Sequence, residues 1–171
     1  MKGNRTKLRR LVVSSLLVFV AVGLKSHQTP RIVNAGDIAG IVNQHRGRVV
    51  LLNLWATWCP PCLREFPEIV EVEREYRKRG LVIVSVSADS LDRVETDLLP
   101  FLDEHQPGFE VYIRSDDDPE AFIKAVDPGW KGELPATFFY DRVGRPSVKR
   151  YSPMPRDEIE RIVEYLLSGR E

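Results

Sequence analysis

A chain of 171 residues has room for one compact domain with an adequate core. Its 25 Lys/Arg balance 25 Asp/Glu, and no basic stripe runs along it, so charge gives no footprint for nucleic acid. With residues 1–25 set aside, which hold six Lys/Arg and no acid, the remaining 146 residues carry 19 basic against 25 acidic side chains, a net −6.

The first segment reads as an address rather than as fold. Lys2, Arg5, Lys7, Arg9 and Arg10 precede fourteen uncharged residues, LVVSSLLVFVAVGL (11–24), a basic region followed by an apolar one. The run is shorter than the roughly 20 residues of a spanning helix, and AVG (21–23) offers a small-x-small cleavage site. Residues 1–25 are therefore a signal peptide or a retained signal anchor, and residues 26–171 are the domain.

VVLLNLW (49–55) is a nearly unbroken apolar run, the pattern of a strand buried on both faces. After the cysteines, Leu63, Phe66, Ile69, Val70 and Tyr76 recur near helical spacing up to Gly80, with Pro67 inside the helix. LVIVSVS (81–87) is a second buried strand, and Val94, Leu98, Phe101 and Leu102 set a following helix. FEVYIR (109–114) alternates like a strand, and Pro119 opens a short helix through Phe122, Ile123 and Val126. TFFY (137–140) and RPSVKRY (145–151) pair across the turn DRVG, the second as an edge strand. A last helix from about Arg156 places Ile159, Ile162, Val163, Leu166 and Leu167 on one face. Strands alternating with helices, then a hairpin and a closing helix, predict an α/β domain with a mixed sheet.

Both cysteines of the chain lie in NLWATWCPPC (53–62), separated by two prolines. A structural zinc needs about four ligands, and there is no second pair and no histidine near this one. A disulfide across so short a loop staples almost nothing in the unfolded chain. A redox pair remains. Cys59 falls where a strand hands over to a helix, and unpaired N–H groups and the helix dipole there favour a thiolate. Prolines in the first turn cost little, since their missing donors have no partner inside the helix. Cys62 lies one turn further in and more buried. Cys59 is thus the attacking thiol and Cys62 the resolving one.

These residues resemble the active site of the thioredoxin superfamily, and Asn53 points to its TlpA/ResA-like extracytoplasmic branch. The resemblance covers roughly residues 30–170. It implies a thioredoxin-like fold, with a central mixed sheet flanked by helices and an extra strand–helix insertion at about 109–126. Thioredoxins proper carry a buried aspartate where this chain has Asn53. In the TlpA/ResA-like branch a glutamate three residues after the second cysteine serves proton transfer, and that position is Glu65. ELPATFFYDRVG (133–144) is similar to the family segment with a cis-proline beside the disulfide, which implies a cis Leu134–Pro135 bond. Trp58, Pro60, Pro61, Leu134 and Pro135 are the implied substrate-contacting residues.

The implied activity is thiol–disulfide exchange outside the cytoplasm, in the periplasm or on the outer face of the cytoplasmic membrane. Its direction is reduction of disulfides in exported proteins, with apocytochrome c as one example. The only redox group expected is the Cys59–Cys62 pair, with no cofactor and no metal. Electrons would come from a membrane thiol–disulfide donor, and the N-terminal segment would hold the chain to the membrane if uncleaved. Two alternatives share the fold. A copper or apocytochrome chaperone would use the thiols as ligands. A peroxiredoxin-like peroxidase would need proline at Leu52 and threonine at Ala56, and has neither here.

Overall fold

The computed structural model describes residues 29–115 and 117–169, so the signal segment read at 1–25 lies outside the described residues. The elements run β1 (Arg31–Val33), α1 (Asp37–Asn43), β2 (Val49–Trp55), α2 (Pro60–Tyr76), β3 (Leu81–Ser87), α3 (Leu99–His105), β4 (Val111–Arg114), α4 (Pro119–Val126), β5 (Ala136–Tyr140), β6 (Pro146–Arg150) and α5 (Arg156–Leu167). The strands form one six-stranded sheet in the order β1-β4-β3-β2-β5-β6. Pairs β1/β4, β4/β3 and β3/β2 are parallel, while β5 runs antiparallel to β2 and β6 to β5. This is the mixed, helix-flanked sheet expected of a thioredoxin-like fold. The extra strand β4 is wedged between β1 and β3 rather than added at an edge.

Alternation along β2 sorts the core into two layers. Val49, Leu51 and Trp55 pack with α2, α3 and α5 through Phe66, Ile69, Leu102, Ile159 and Val163. Val50, Leu52 and Leu54 face the other way, against Ile38 and Val42 of α1 and Phe122 and Val126 of α4. Every residue of β2 is buried, which explains why the strand reads as a continuous apolar run.

One local departure from the sequence reading has a physical cause. The single helix expected around Val94–Leu102 is three pieces: a 3₁₀ turn at Leu91–Arg93, a wide π-helical turn at Val94–Leu98, and α3 from Leu99. Pro100 cannot donate an interior helical bond and clashes with the preceding turn, so it falls at the start of a fresh helix. In contrast, α2 runs on through Pro67. At the end of α3, His105 is half-buried, with its ring 4.2 Å from that of Phe101.

Candidate active site

The end of β2 and the start of α2 are joined by a four-residue loop, 56–59, and both cysteines lie at its junction with the helix. Cys59 is the N-cap of α2, with extended backbone (φ −102°, ψ 98°). Pro60 and Pro61 fill the first helical positions and carry no N–H. The first donor the helix can offer is therefore the N–H of Cys62, and it points at Cys59 Sγ at 3.3 Å. The next, from Leu63, bonds the Cys59 carbonyl at 3.1 Å. A thiolate on Cys59 would meet one directed N–H and the positive end of a 17-residue helix, the setting that lowers a thiol's pKa.

The two sulfurs are bonded to each other, with Cα atoms 5.3 Å apart. Cys62 is 1% exposed and Cys59 5%, so the cap sulfur is the more accessible of a recessed pair. Trp58 stands 65% exposed immediately before it, while Pro60 is exposed and Pro61 half-buried. Trp55 takes the opposite role: it is fully buried, its Nε1–H donates to Ser85 Oγ at 2.8 Å, and its ring packs against that of Phe66 at 4.4 Å, tilted by 43°.

A residue that sequence reasoning missed secures this loop. Asp89, just past β3, is 1% exposed and spends both carboxylate oxygens on the loop before Cys59. It accepts from the Thr57 backbone N–H at 3.1 and 3.2 Å and from the Thr57 hydroxyl at 2.6 Å. The Ser87 hydroxyl also donates to it at 2.6 Å. The available signal was the polar ending SADS of an otherwise apolar strand, but its partner lies 32 positions upstream.

The antiparallel strand β5 brings the second half of the site. Leu54 pairs with Ala136, so Leu134 and Pro135 lie level with the end of β2. The Leu134–Pro135 bond is cis, as the resemblance implies. Pro135 is buried, and Leu134 is half-buried between the two core layers. Asn53 lies beneath, 1% exposed, with its amide donating to Thr137 Oγ1 at 3.2 Å.

Glu65, one turn beyond Cys62 on α2, is 3% exposed. Its Oε1 accepts from the Met154 N–H at 3.0 Å, and its Oε2 has no hydrogen-bond partner. Loss of solvation outweighs that single hydrogen bond and pushes its pKa up to about 7. The carboxyl lies along an open groove formed with Pro61, Glu68, Pro153 and Pro155, so it is buried yet adjacent to solvent. Among the described residues, no group of three or more His, Cys, Asp or Glu is placed to hold a metal ion.

Comparison with known proteins agrees with this geometry. Residues 34–145 match the AhpC/TSA family. The thiol-disulfide oxidoreductase ResA of Oceanobacillus iheyensis is 32% identical over 122 residues, covering 71% of this chain and 52% of that protein. The ResA of Geobacillus kaustophilus is 29% identical over 146 residues, covering 85% of this chain and 72% of the relative. The chain thus spans about half the length of the first relative and nearly three quarters of the second. Among solved structures, a thiol:disulfide interchange protein of the thioredoxin family from Chlorobium tepidum TLS superimposes with a TM-score of 0.61. It is 26% identical, and the match covers 72% of this chain and 83% of that one. The fold, the cysteine pair at the cap of α2 and these matches together show that the chain belongs to the AhpC/TSA family within the thioredoxin superfamily, beside the ResA-like proteins.

Proposed function

We propose that the chain is an extracytoplasmic thiol–disulfide oxidoreductase that reduces disulfides of exported proteins through Cys59 and Cys62. The observation that carries this reading is the position of the pair, with the more accessible sulfur at the N-cap and the less accessible one a turn inside. In the reduced form the Cys59 thiolate attacks one sulfur of a partner disulfide. The partner S–S bond breaks, its second sulfur leaves with the electron pair, and a mixed disulfide forms. Cys62 then loses its proton and attacks Cys59 Sγ, releasing the partner's other thiolate. The partner gains two electrons and the Cys59–Cys62 disulfide is left.

Glu65 is the proton acceptor for Cys62 in this scheme. A carboxyl with a pKa of about 7 is part ionised near neutrality, so it can take a proton and return it to the groove. Asn53 cannot titrate. Trp58 supplies an exposed apolar surface for the partner, and Leu134 a backbone edge beside the sulfurs for an extended segment. Pro60 and Pro61 shape the cap that the partner approaches.

The place of action rests on the basic and apolar run in residues 1–24. No helix among the described residues is long and apolar enough to cross a membrane. Each turnover leaves the pair oxidised, so a membrane thiol–disulfide donor must restore it, and apocytochrome c belongs to the class of exported substrates the resemblance implies. A peroxidase of the proline-and-threonine type fits poorly: position 52 lies in the central strand β2, paired on both sides, where a proline would remove a ladder bond.

The test is stoichiometric. The chain, reduced and freed of reductant, is mixed with a protein disulfide, and thiols are counted on both partners. One partner disulfide should be reduced for each Cys59–Cys62 pair oxidised. An alkaline phosphatase fusion to the N-terminal segment should be active only outside the cytoplasm. No electron transfer, or a fusion active only when retained inside, overturns the corresponding part.

A further inference from the structure

The parallel strands β2, β3 and β4 end together, with Trp55 level with Ser87 and Ser87 with Ile113. Crevices beyond the carboxyl ends of parallel strands are where open α/β sheets hold ligands. On the α4 side of this end lies a pocket of about 170 Å³. Its lining is mostly apolar, with Leu54, Phe122, Ile123 and Trp130 meeting Trp58 and Leu134 from the cysteine side, and Ser87 and Arg114 as its polar members. Leu54, Phe122 and Trp130 are buried whereas Trp58 is open to solvent, so the lining grades from buried apolar side chains to an accessible mouth.

Its size limits what it can take. A dry apolar cavity of about 150 Å³ accepts one benzene ring. This pocket therefore suits one aromatic or branched aliphatic side chain and nothing larger. Trp130 adds no unsatisfied polar atom, because its Nε1–H already donates to the Glu133 carbonyl at 2.8 Å. Gly132 helps keep the space open. Its φ is +93°, and a Cβ there would stand 2.9 Å from Ile123 Cδ1.

The rim ties the pocket to the chemistry. Trp58 precedes Cys59 in the chain, and Leu134 precedes the proline that the Leu54–Ala136 pairing sets level with the end of β2. A polypeptide whose half-cystine is attacked by Cys59 must cross this rim, which delivers a neighbouring side chain to the mouth. We infer that the pocket is a specificity site for one large apolar side chain of the partner polypeptide, carried one or two residues from the attacked half-cystine. The inference rests on the thiol–disulfide exchange reading above. It assigns the insertion β4–α4 a purpose, since Phe122 and Ile123 belong to α4.

The full chain carrying Cys62→Ser, reduced, provides the test. Its substrates are short peptides with one cysteine joined to 5-thio-2-nitrobenzoate, differing only in whether the residue beside the cysteine is Ala, Leu, Phe or Lys. The Cys59 thiolate attacks the peptide sulfur, a protein–peptide disulfide forms, and the thionitrobenzoate thiolate leaves with the electron pair and is read by its absorbance. The Phe and Leu peptides should react about tenfold or more faster than the Ala and Lys peptides at low concentration. Ile123→Trp, which fills the pocket, should bring the Phe-to-Ala ratio toward one. Ile123→Ala, which enlarges it, should lower the Leu-to-Ala ratio more than the Phe-to-Ala ratio. Near-UV circular dichroism checks that each variant keeps its packing. Equal rates for all four peptides overturn the pocket, as does an unchanged ratio in a folded Ile123→Trp chain. Failure to release thionitrobenzoate from any peptide overturns the exchange reading instead.

Discussion

The two halves of α2 each bury a glutamate, Glu65 at 3% exposure and Glu73 at 4%, and each leaves one carboxylate oxygen without a hydrogen bond. Their surroundings differ. Glu73 Oε1 lies 4.0 Å from an Arg77 Nη one turn on, and Gly108 packs so close that a Cβ there would be 2.7 Å from Oε2. Among the described residues Glu65 joins no ion pair, although Arg64 and Arg156 line the same groove, and its one hydrogen bond comes from the Met154 N–H. Burial alone does not make an acid useful for proton transfer. The proposed role of Glu65 rests on lost solvation beside an open groove, whereas Glu73 has an arginine one turn on and packed backbone against it.

The largest effect expected at the N-terminal half is loss of chemistry. Cys59→Ser should abolish disulfide reduction, while Cys62→Ser should still attack and accumulate mixed disulfides, visible on non-reducing gels. Trapping by Cys59→Ser and not by Cys62→Ser would reverse the roles. Next is the loop that presents the cap. Asp89→Ala strands the Thr57 N–H and hydroxyl and should cost about 3–4 kcal/mol in urea unfolding. It should also speed hydrogen exchange at Thr57 more than in the second half of α2. A midpoint equivalent to less than about 0.5 kcal/mol would mean the loop is held by something else.

Glu65→Gln sharpens the contrast through pH. The folded chain holds the Glu65 proton up to about pH 7, whereas the unfolded carboxyl releases it near 4.5. Between those values the folded state binds more protons, so stability falls as pH rises through the window and is level above it. At about 1.4 kcal/mol per pH unit, the glutamine variant should gain up to about 3 kcal/mol over the parent at pH 8. It should also lose that slope while slowing resolution of mixed disulfides by about tenfold or more near neutrality. Identical turnover of the two across pH 5 to 9 would remove Glu65 from the mechanism. The smallest effect belongs to Glu73→Gln, with turnover within about twofold of the parent and stability changed by less than about 1 kcal/mol, the scale of a partly exposed ion pair. If Glu73→Gln slowed resolution as Glu65→Gln does, the comparison would fail.

Much of this was legible in residue order. β2, β3, α2 and α5 announce themselves because each is long and buries a regular stripe or a whole strand. The cysteine spacing between a strand and a helix localised the chemistry. The strand β1 and helix α1 went unread, because β1 is three residues with only Val33 buried and gives no period to detect. Asp89 and the pocket were invisible for another reason. An acid after a strand looks like any loop acid, and six apolar residues from five separate stretches look like core until the sheet gathers them. The poor solvation of Glu65 follows from its place one turn beyond Cys62, but its partner does not: α2 carries acids at 65, 68, 71, 73 and 75, and only the fold sets the Met154 N–H against this one.

The antiparallel entry of β5 beside β2 has a consequence in time. Asn53 and Thr137, hydrogen-bonded neighbours, are 84 positions apart in the chain. Synthesis from the N-terminus therefore produces both thiols long before Leu134, Pro135 or Met154 exists. Until that last stretch arrives, Cys59 and Cys62 have a helix but neither Leu134 nor Pro135 level with them, and Glu65 lacks the Met154 N–H. The site is assembled in two instalments: a polypeptide cut short before β5 would carry the thiols without the strand that the Leu54–Ala136 pairing sets beside them.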